Sequence, residues 1–264
     1  MMRGASADAY SAAAAALPGS GDLGSVAQDL FGIADLFRSE PSLRRVATDA
    51  SIEGEAKAGL VRGVLAGKVS AEALEVLTTA VSQRWTSSRD LGDTLEQLGV
   101  VAAVRSTGSD AGRLEDELFA VGRLVQANPG LRDALSDPAR SRGDKAGLIN
   151  GLLGDKVLPA TVALVKQALS GSHRTITVAL ASYQKVAAEV RGQGVATVRV
   201  ARPLADADRQ RLAGALSGTY GREIHLNVIV DPEVIGGIRV EIGDDVIDGT
   251  VSSRLDDAGR RLAG

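Results

Sequence analysis

A tandem internal repeat constrains this chain more than any other feature of its sequence. Pro41-x-Leu43-Arg44 returns 88 residues later as Pro129-x-Leu131-Arg132, and Lys57-Ala58-Gly59-Leu60 returns at the same offset as Lys145-Ala146-Gly147-Leu148. Self-similarity at a fixed period indicates that one structural unit has been duplicated in tandem. We call the segments at about 23–102 and 111–190 the first copy and the second copy.

The spacing of apolar residues predicts that each copy is a bundle of short helices. In the first copy, steps of three and four residues, typical of one helix face, separate Leu23, Val26, Leu30, Ile33 and Phe37. The second copy repeats this pattern 88 residues later. Pro41 and Pro129 end the first helix of each copy. An additional alanine-rich helix, at about 6–17, precedes the first copy.

After about residue 192 the period of the apolar residues shortens to two, which predicts strands. Alternation runs over 196–200, 224–230 and 238–242, and a helix over about 206–217 separates the first two strands. A final amphipathic helix is predicted from Val251, Leu255, Ala258 and Leu262.

These patterns predict a mainly α fold with a small α/β C-terminal module. We expect an N-terminal helical bundle at 1–108, a tandem second helical copy at 109–192, and a β-α-β-β-α module at 193–264.

Composition excludes several classes of protein. The chain of 264 residues has no cysteine, which excludes a disulfide scaffold, a cysteine-ligated metal and a thiol nucleophile. Its 30 Lys and Arg are interspersed with 33 Asp and Glu, so no basic face for nucleic acid is expected. No apolar stretch approaches the roughly 20 residues of a membrane-spanning helix, and Asp8 and Tyr10 interrupt any signal-peptide core. We expect a soluble protein of a reducing compartment.

Two glycine motifs resemble nucleotide-binding loops but lack the required context. The G-x-G-x-x-G at Gly19–Gly24 follows an alanine-rich helix and a proline, whereas the dinucleotide motif follows a strand. The loop Gly63–Lys68 is one residue short of a phosphate-binding loop, and Val69 follows its lysine. We interpret the first as a turn between helices and the second as a helix C-terminus, and we expect no nucleotide and no cofactor.

No catalytic or metal-binding constellation is predicted. His173 and His225 have no neighbouring nucleophile and no metal ligand at helical spacing. Helix caps, turns and solvated faces account for the acidic pairs Asp206/Asp208, Asp244/Asp245 and Asp256/Asp257.

The C-terminal residues resemble a known family. The runs 230–240 and 242–251, followed by Ser253-Arg254-Leu255, are similar to the C-terminal signature of the ATP synthase delta subunit, called oligomycin-sensitivity-conferring protein in mitochondria. We expect structural roles for the signature residues Asp231, Pro232, Gly236, Gly237, Gly243, Asp248, Gly249, Arg254 and Leu255. The usual family pattern has one helical bundle, so the second copy is a departure that resembles an extended form found in some high-GC bacteria.

The resemblance implies a non-catalytic peripheral-stalk (stator) subunit of the rotary proton-translocating ATP synthase, supporting ATP synthesis driven by the proton-motive force. It implies that the N-terminal bundle binds N-terminal segments of the alpha subunits and that the C-terminal module holds the membrane-anchored b-type stalk. As part of this multi-subunit complex, the chain is expected at the cytoplasmic side of the cell membrane.

In the family, the first and fifth helices form the groove for the alpha-subunit helix. Carried over by position, the resemblance assigns that groove to Ala9, Tyr10, Ala13, Leu74, Leu77 and Val81. Small side chains on the first helix would let a partner helix approach closely. The alternative for each of these residues is a place in the bundle core. Because only the first copy carries the helix of Tyr10, we expect it to keep the groove, and the second copy to act as a spacer or a second contact.

Two other functions remain open from the sequence. The duplication itself is compatible with a helical-repeat adaptor or scaffold unrelated to ATP synthesis. A nucleotide-binding enzyme has only the two incomplete glycine motifs in its favour.

Overall fold

Helices dominate the molecule, and one small sheet forms near the C-terminal end. This computed structural model describes residues 3–192, 194–221, 223–242 and 245–251. Within these ranges the chain forms twelve α-helices and a four-stranded sheet. The predicted fold class, mainly α with a small α/β module, is confirmed.

The helices of the second copy begin 88 residues after those of the first. The first copy comprises α2 (Leu23–Ser39), α3 (Pro41–Thr48), α4 (Gly54–Leu65), α5 (Ala71–Ser82) and α6 (Ser88–Arg105), preceded by α1 (Ala5–Ala15). The second copy comprises α7 (Ala111–Ala127), α8 (Pro129–Ser136), α9 (Arg142–Leu153), α10 (Pro159–Gln167) and α11 (Ile176–Val190). The duplication predicted from sequence is therefore a duplication of structure.

One kind of side-chain contact explains why the fourth helix of each copy, α5 in the first and α10 in the second, starts at the same place. Helix N-termini leave backbone N–H groups without intrahelical partners. The Ser70 N–H before α5 donates to Asp29 Oδ2 at 2.7 Å. The Leu158 N–H before α10 donates to Glu117 Oε2 at 2.8 Å. Asp29 and Glu117 are equivalent by the repeat, so the duplication has kept a carboxylate cap.

Helix α6 is the most deeply buried of the long helices. Of its 18 residues, 12 are buried, and α2 packs along its length. Close approach of the two helices requires Gly99, because a Cβ there would lie 2.6 Å from Cε1 of Phe31. Its start is fixed by a capping box in which Ser87 and Asp90 hydrogen-bond to each other's backbone.

The chain divides into two compact units, Met1–Tyr183 and Gln184–Gly264. The predicted boundary between residues 108 and 109 lies inside the first unit. The three-part division at 1–108, 109–192 and 193–264 therefore stays a prediction.

The second unit contains the sheet. Its elements are β1 (Gly194–Val200), α12 (Asp206–Tyr220), β2 (Ile224–Val230), β3 (Ile238–Ile242) and β4 (Asp245–Asp248). The strand order is β2-β1-β3-β4, with β1 parallel to β2 and the other pairs antiparallel. Helix α12 makes the crossover that a parallel pair needs. A core forms from Ala196, Val198, Val200, Leu216, Ile224, Leu226, Val240 and Ile242.

Strand β4 was not foreseen, because all four of its residues are exposed and leave no alternation to detect. The predicted final helix lies outside the described residues, apart from Val251 at its start.

Candidate functional site

The surface of α1 and α5 is the first candidate site, because the resemblance places the alpha-subunit groove there. Helix α1 packs on α5 and α6. Its first turn is held by the buried Ser6, whose Oγ donates to Asp90 Oδ2 at 2.6 Å and accepts from the Thr86 N–H at 2.8 Å. The alanines that follow favour helix and leave little side chain between α1 and its neighbours.

The six residues assigned to the groove divide into two groups. Ala9, Ala13, Leu77 and Val81 are at most 1% exposed and form part of the bundle core in this state. Tyr10 and Leu74 are half-buried and keep accessible surface. Sequence reasoning missed Ala7 and Ala14, which are also half-buried. Their spacing from Tyr10, three and four residues, was the signal available. We call Ala7, Tyr10, Ala14 and Leu74 the α1–α5 surface.

The second copy offers no equivalent of this surface. The 88-residue offset carries Ala7, Tyr10 and Ala14 onto Leu95, Leu98 and Ala102 of α6. These three residues are at most 1% exposed. The packing of α2 along α6 accounts for part of this burial.

Trp85 lies close enough to α1 to report on this region. Its indole Nε1–H donates to the Ala80 carbonyl of α5 at 3.0 Å. The next residue, Thr86, is bonded to Ser6 at the first turn of α1. A change at α1 is therefore expected to alter the fluorescence of this tryptophan.

The first half of the family signature extends the sheet into a turn. Asp231 donates its N–H to the Val200 carbonyl at 2.8 Å, and its Oδ1 accepts from the Glu233 N–H at 3.0 Å. Arg199 lies 3.6 Å from the Asp231 carboxylate. The following residue is Pro232, which has no N–H to donate at the start of this turn.

The second half brings two backbone segments into contact. Gly249 donates its N–H to the Ile238 carbonyl at 2.9 Å, and Val251 donates to the Gly236 carbonyl at 3.0 Å. Gly237 has φ +84°, and a Cβ there would overlap the Gly249 carbonyl. Glycine is required at this position for both reasons.

Asp248 fixes the turn after β4. Its Oδ1 accepts from the Thr250 N–H at 3.0 Å and from the Thr250 hydroxyl at 2.7 Å. These hydrogen bonds lower the pKa of Asp248. The signature residues in the described ranges thus hold the sheet together. Gly243, Arg254 and Leu255 lie outside those ranges.

A small cavity of about 240 Å³ lies within the second unit. It is lined by Arg191, Arg209, Glu223 and His225 among others, and Arg209 donates to the Leu226 carbonyl at 3.0 Å. His225, on β2, is partly exposed. The mixed charges of the lining select no particular ligand.

The glycine motifs take the positions predicted for them. Gly19–Gly24 connects α1 to the start of α2, and the Asp22 carboxylate caps α2 by accepting from the Ser25 N–H at 3.0 Å. A carboxylate therefore occupies the helix N-terminus that a phosphate would need. Gly63–Lys68 spans the C-terminal end of α4.

Among the described residues, no three His, Asp or Glu side chains are grouped to hold a metal ion. Nor does any helix in those ranges combine the length and apolar character needed to cross a membrane.

A family model described as ATP synthase delta (OSCP) subunit matches residues 100–262. The chain belongs to this family. Its relatives named ATP synthase subunit delta include one from Nocardioides sp. that is 59% identical. The alignment covers 92% of this chain and 89% of that relative. One from Streptomyces coelicolor is 44% identical, and its alignment covers 99% of this chain and 98% of the relative. One from Kineococcus radiotolerans is 47% identical, and its alignment covers 92% of this chain and 89% of the relative.

Among solved structures, a chain of the Toxoplasma gondii mitochondrial ATP synthase hexamer matches with a TM-score of 0.34 and 17% identity, covering 58% of this chain and 97% of that chain.

The matched range bears on the groove assignment. It begins inside α6 and takes in the second copy and the second unit, so all six assigned groove residues lie before it. The assignment to the first copy therefore stays a prediction. The Streptomyces relative, by contrast, aligns over nearly the whole chain and so spans both copies.

Proposed function

We propose that this member of the delta (OSCP) family is a non-catalytic peripheral-stalk subunit of a rotary proton-translocating ATP synthase. It connects the catalytic head to the membrane-anchored b-type stalk at the cytoplasmic side of the membrane. The observation that supports this most strongly is 59% identity, over 92% of the chain, to a protein named ATP synthase subunit delta.

The proposed contact with the head is the α1–α5 surface, which receives the N-terminal helix of an alpha subunit. Ala7 and Ala14 are small enough for a helix backbone to approach, and Tyr10 lies between them as an aromatic anchor. Their counterparts in α6 are buried, which supports a single groove in the first copy. Ala9, Ala13, Leu77 and Val81 then form the layer beneath the groove and do not touch the partner.

The proposed contact with the stalk is the second unit, following the resemblance of its turn signature. A stator needs both contacts to persist while the rotor turns. Nanomolar affinity corresponds to about −12 kcal/mol. A few apolar anchors contribute roughly 1.5–3 kcal/mol each before ordering costs, which supplies only part of that free energy of binding. Simultaneous binding to the head and to the stalk is expected to supply the rest by avidity.

The head contact is tested by titrating the full chain with a peptide of the first ~20 residues of the alpha subunit. Trp85 fluorescence and calorimetry follow binding. Tyr10→Ala and Ala14→Glu are expected to weaken binding at least tenfold, about 1.4 kcal/mol. Ala15→Glu is the matched control, because Ala15 is the exposed neighbour of Ala14 on the same helix. Absence of saturable binding below about 10 μM, or equal losses for Ala14→Glu and Ala15→Glu, would contradict the assignment.

A helical-repeat adaptor is the second candidate, favoured by the constant 88-residue offset of the helices. Cell fractionation separates the two. A stator subunit travels with the membrane-bound synthase and leaves it in a wash at low ionic strength, whereas an adaptor with other partners does neither.

A further inference from the structure

We infer that α6 is shared by both helical copies, so that they fold as one cooperative unit, and that Glu96 is the residue that joins them. The inference concerns the first unit alone and does not depend on the proposed function.

The register of the repeat gives the first argument. The second copy has five helices of its own, and a counterpart of α1 would fall 88 residues later, at 93–103, which lies inside α6. Ser6 of α1 corresponds to Thr94 of α6, and both are fully buried. Helix α1 packs on α5, and α6 packs on α10, the counterpart of α5. Helix α6 thus ends the first copy and takes the place of α1 in the second.

The contacts of Glu96 give the second argument. This side chain is only 2% exposed. From the first copy it forms an ion pair with Arg38 of α2. From the second copy it accepts hydrogen bonds from the Tyr183 hydroxyl at 2.5 Å and from the Ser172 N–H at 3.0 Å. One buried carboxylate therefore has partners on both sides.

The surroundings of Glu96 leave it little freedom. A Cβ on Gly171 would overlap the Glu96 carboxylate, so the loop before α11 passes directly over it. Burial, and then the negative charge of Glu96, raise the pKa of Tyr183, which keeps its hydroxyl protonated as a donor. At the edge of this cluster, Arg142 of the second copy lies 3.1 Å from Asp35 of the first.

The Arg38–Glu96 ion pair lies within the first copy and is not repeated in the second. The counterparts of Arg38 and Glu96 in the second copy are Gln126 and Gln184, which carry no charge. A buried carboxylate that loses partners is strongly disfavoured. Separating the copies would remove the Tyr183 and Ser172 hydrogen bonds and leave Glu96 with Arg38 alone. The two copies are expected to unfold together.

The test places a change in one copy and measures its effect in the other, in the full chain. Glu117→Gln weakens the cap of α10 in the second copy, and Trp85 reports unfolding of the first copy in urea. Asp29→Asn is the matched change in the first copy. The chain has no cysteine, so Arg132→Cys on α8 carries a single dye that reports on the second copy. Each change is expected to shift the midpoints of both probes equally. A Trp85 midpoint unmoved by Glu117→Gln, with the dye midpoint lowered, would overturn the shared unit.

A second variant tests Glu96 itself. Glu96→Gln is expected to separate the Trp85 and dye transitions in urea, because the charged acceptor of the Tyr183 and Ser172 hydrogen bonds, which join the copies, is lost. Glu75→Gln, an exposed change on α5, is the control and leaves the transitions coincident. Transitions that stay coincident in Glu96→Gln would refute the role of Glu96. If that variant does not fold, the Glu117 and Asp29 variants still decide whether the unit is shared.

Discussion

Two glycines on α6 make a sharp test of how closely α2 and α6 pack. Gly92 and Gly99 lie seven residues apart, two turns of helix, and both are buried against α2. A Cβ at Gly92 would lie 3.8 Å from the Ala34 carbonyl oxygen, an ordinary contact. A Cβ at Gly99 would lie 2.6 Å from the ring of Phe31 and 3.3 Å from the Ala27 carbonyl oxygen.

The two alanine substitutions are therefore expected to have opposite effects. Each gains about 0.8–1 kcal/mol of helix propensity, because glycine loses more backbone freedom on folding. Gly99→Ala must also displace Phe31, and overpacking of this kind costs about 1–3 kcal/mol. We expect Gly92→Ala to stabilise the chain by up to about 1 kcal/mol and Gly99→Ala to destabilise it by up to about 2 kcal/mol.

Urea unfolding followed by Trp85 fluorescence and by circular dichroism measures both free energies of unfolding. Phe31→Leu removes the ring that a Cβ at residue 99 would meet, so in that background the cost of Gly99→Ala should shrink. If Gly99→Ala is as stable as Gly92→Ala, or if Phe31→Leu leaves its cost unchanged, the packing argument fails.

Three further predictions concern local geometry. Gly237→Ala is expected to lower the free energy of unfolding by more than about 2 kcal/mol, because it combines a positive φ with overlap of a backbone carbonyl. Gly221→Ala, at φ +65° with open space around it, should cost only about 1 kcal/mol. Thermal unfolding measures both. Ser6→Ala removes the buried hydroxyl that bonds Asp90 and the Thr86 N–H and should cost about 0.5–1.5 kcal/mol for each hydrogen bond by urea unfolding. A loss no greater than that of an exposed serine would contradict these contacts. The side-chain hydrogen bond from Ser141, and then its backbone N–H, lower the pKa of Asp144 below 3.8, so its contribution to stability is present above pH 3.8 and is lost as the pH falls through the folded pKa. Carboxyl NMR titration should show this pKa rising in Ser141→Ala, and an unchanged value would refute the assigned cause.

The fold was largely predictable because its signals are periodic. Steps of three and four residues predicted the helices, alternation predicted β1, β2 and β3, and prolines predicted the ends of α2 and α7. Strand β4 has no buried face, so alternation could not reveal it. Its pairing with β3 is a backbone interaction that side-chain patterns do not encode.

The candidate site was only partly predictable. The sequence placed Ala9, Tyr10 and Ala13 on one helix, but an apolar residue packs equally well in a core or against a partner. The structure separates these roles by accessibility, burying Ala9 and Ala13 and leaving Tyr10 half-buried. Ala7 and Ala14 could be assigned to the α1–α5 surface only after the structure showed which side of α1 packs on α5 and α6.

The sequence by itself determined the duplication, the helical class of both copies and the family signature at the C-terminal end, since each is a pattern within short stretches of chain. Only the tertiary structure decided that α6 lies between the two copies and that Glu96 meets partners 58 residues before it and up to 87 residues after it. Such contacts depend on which helix faces pack together, and repeat spacing places two copies in order along the chain without saying how they meet.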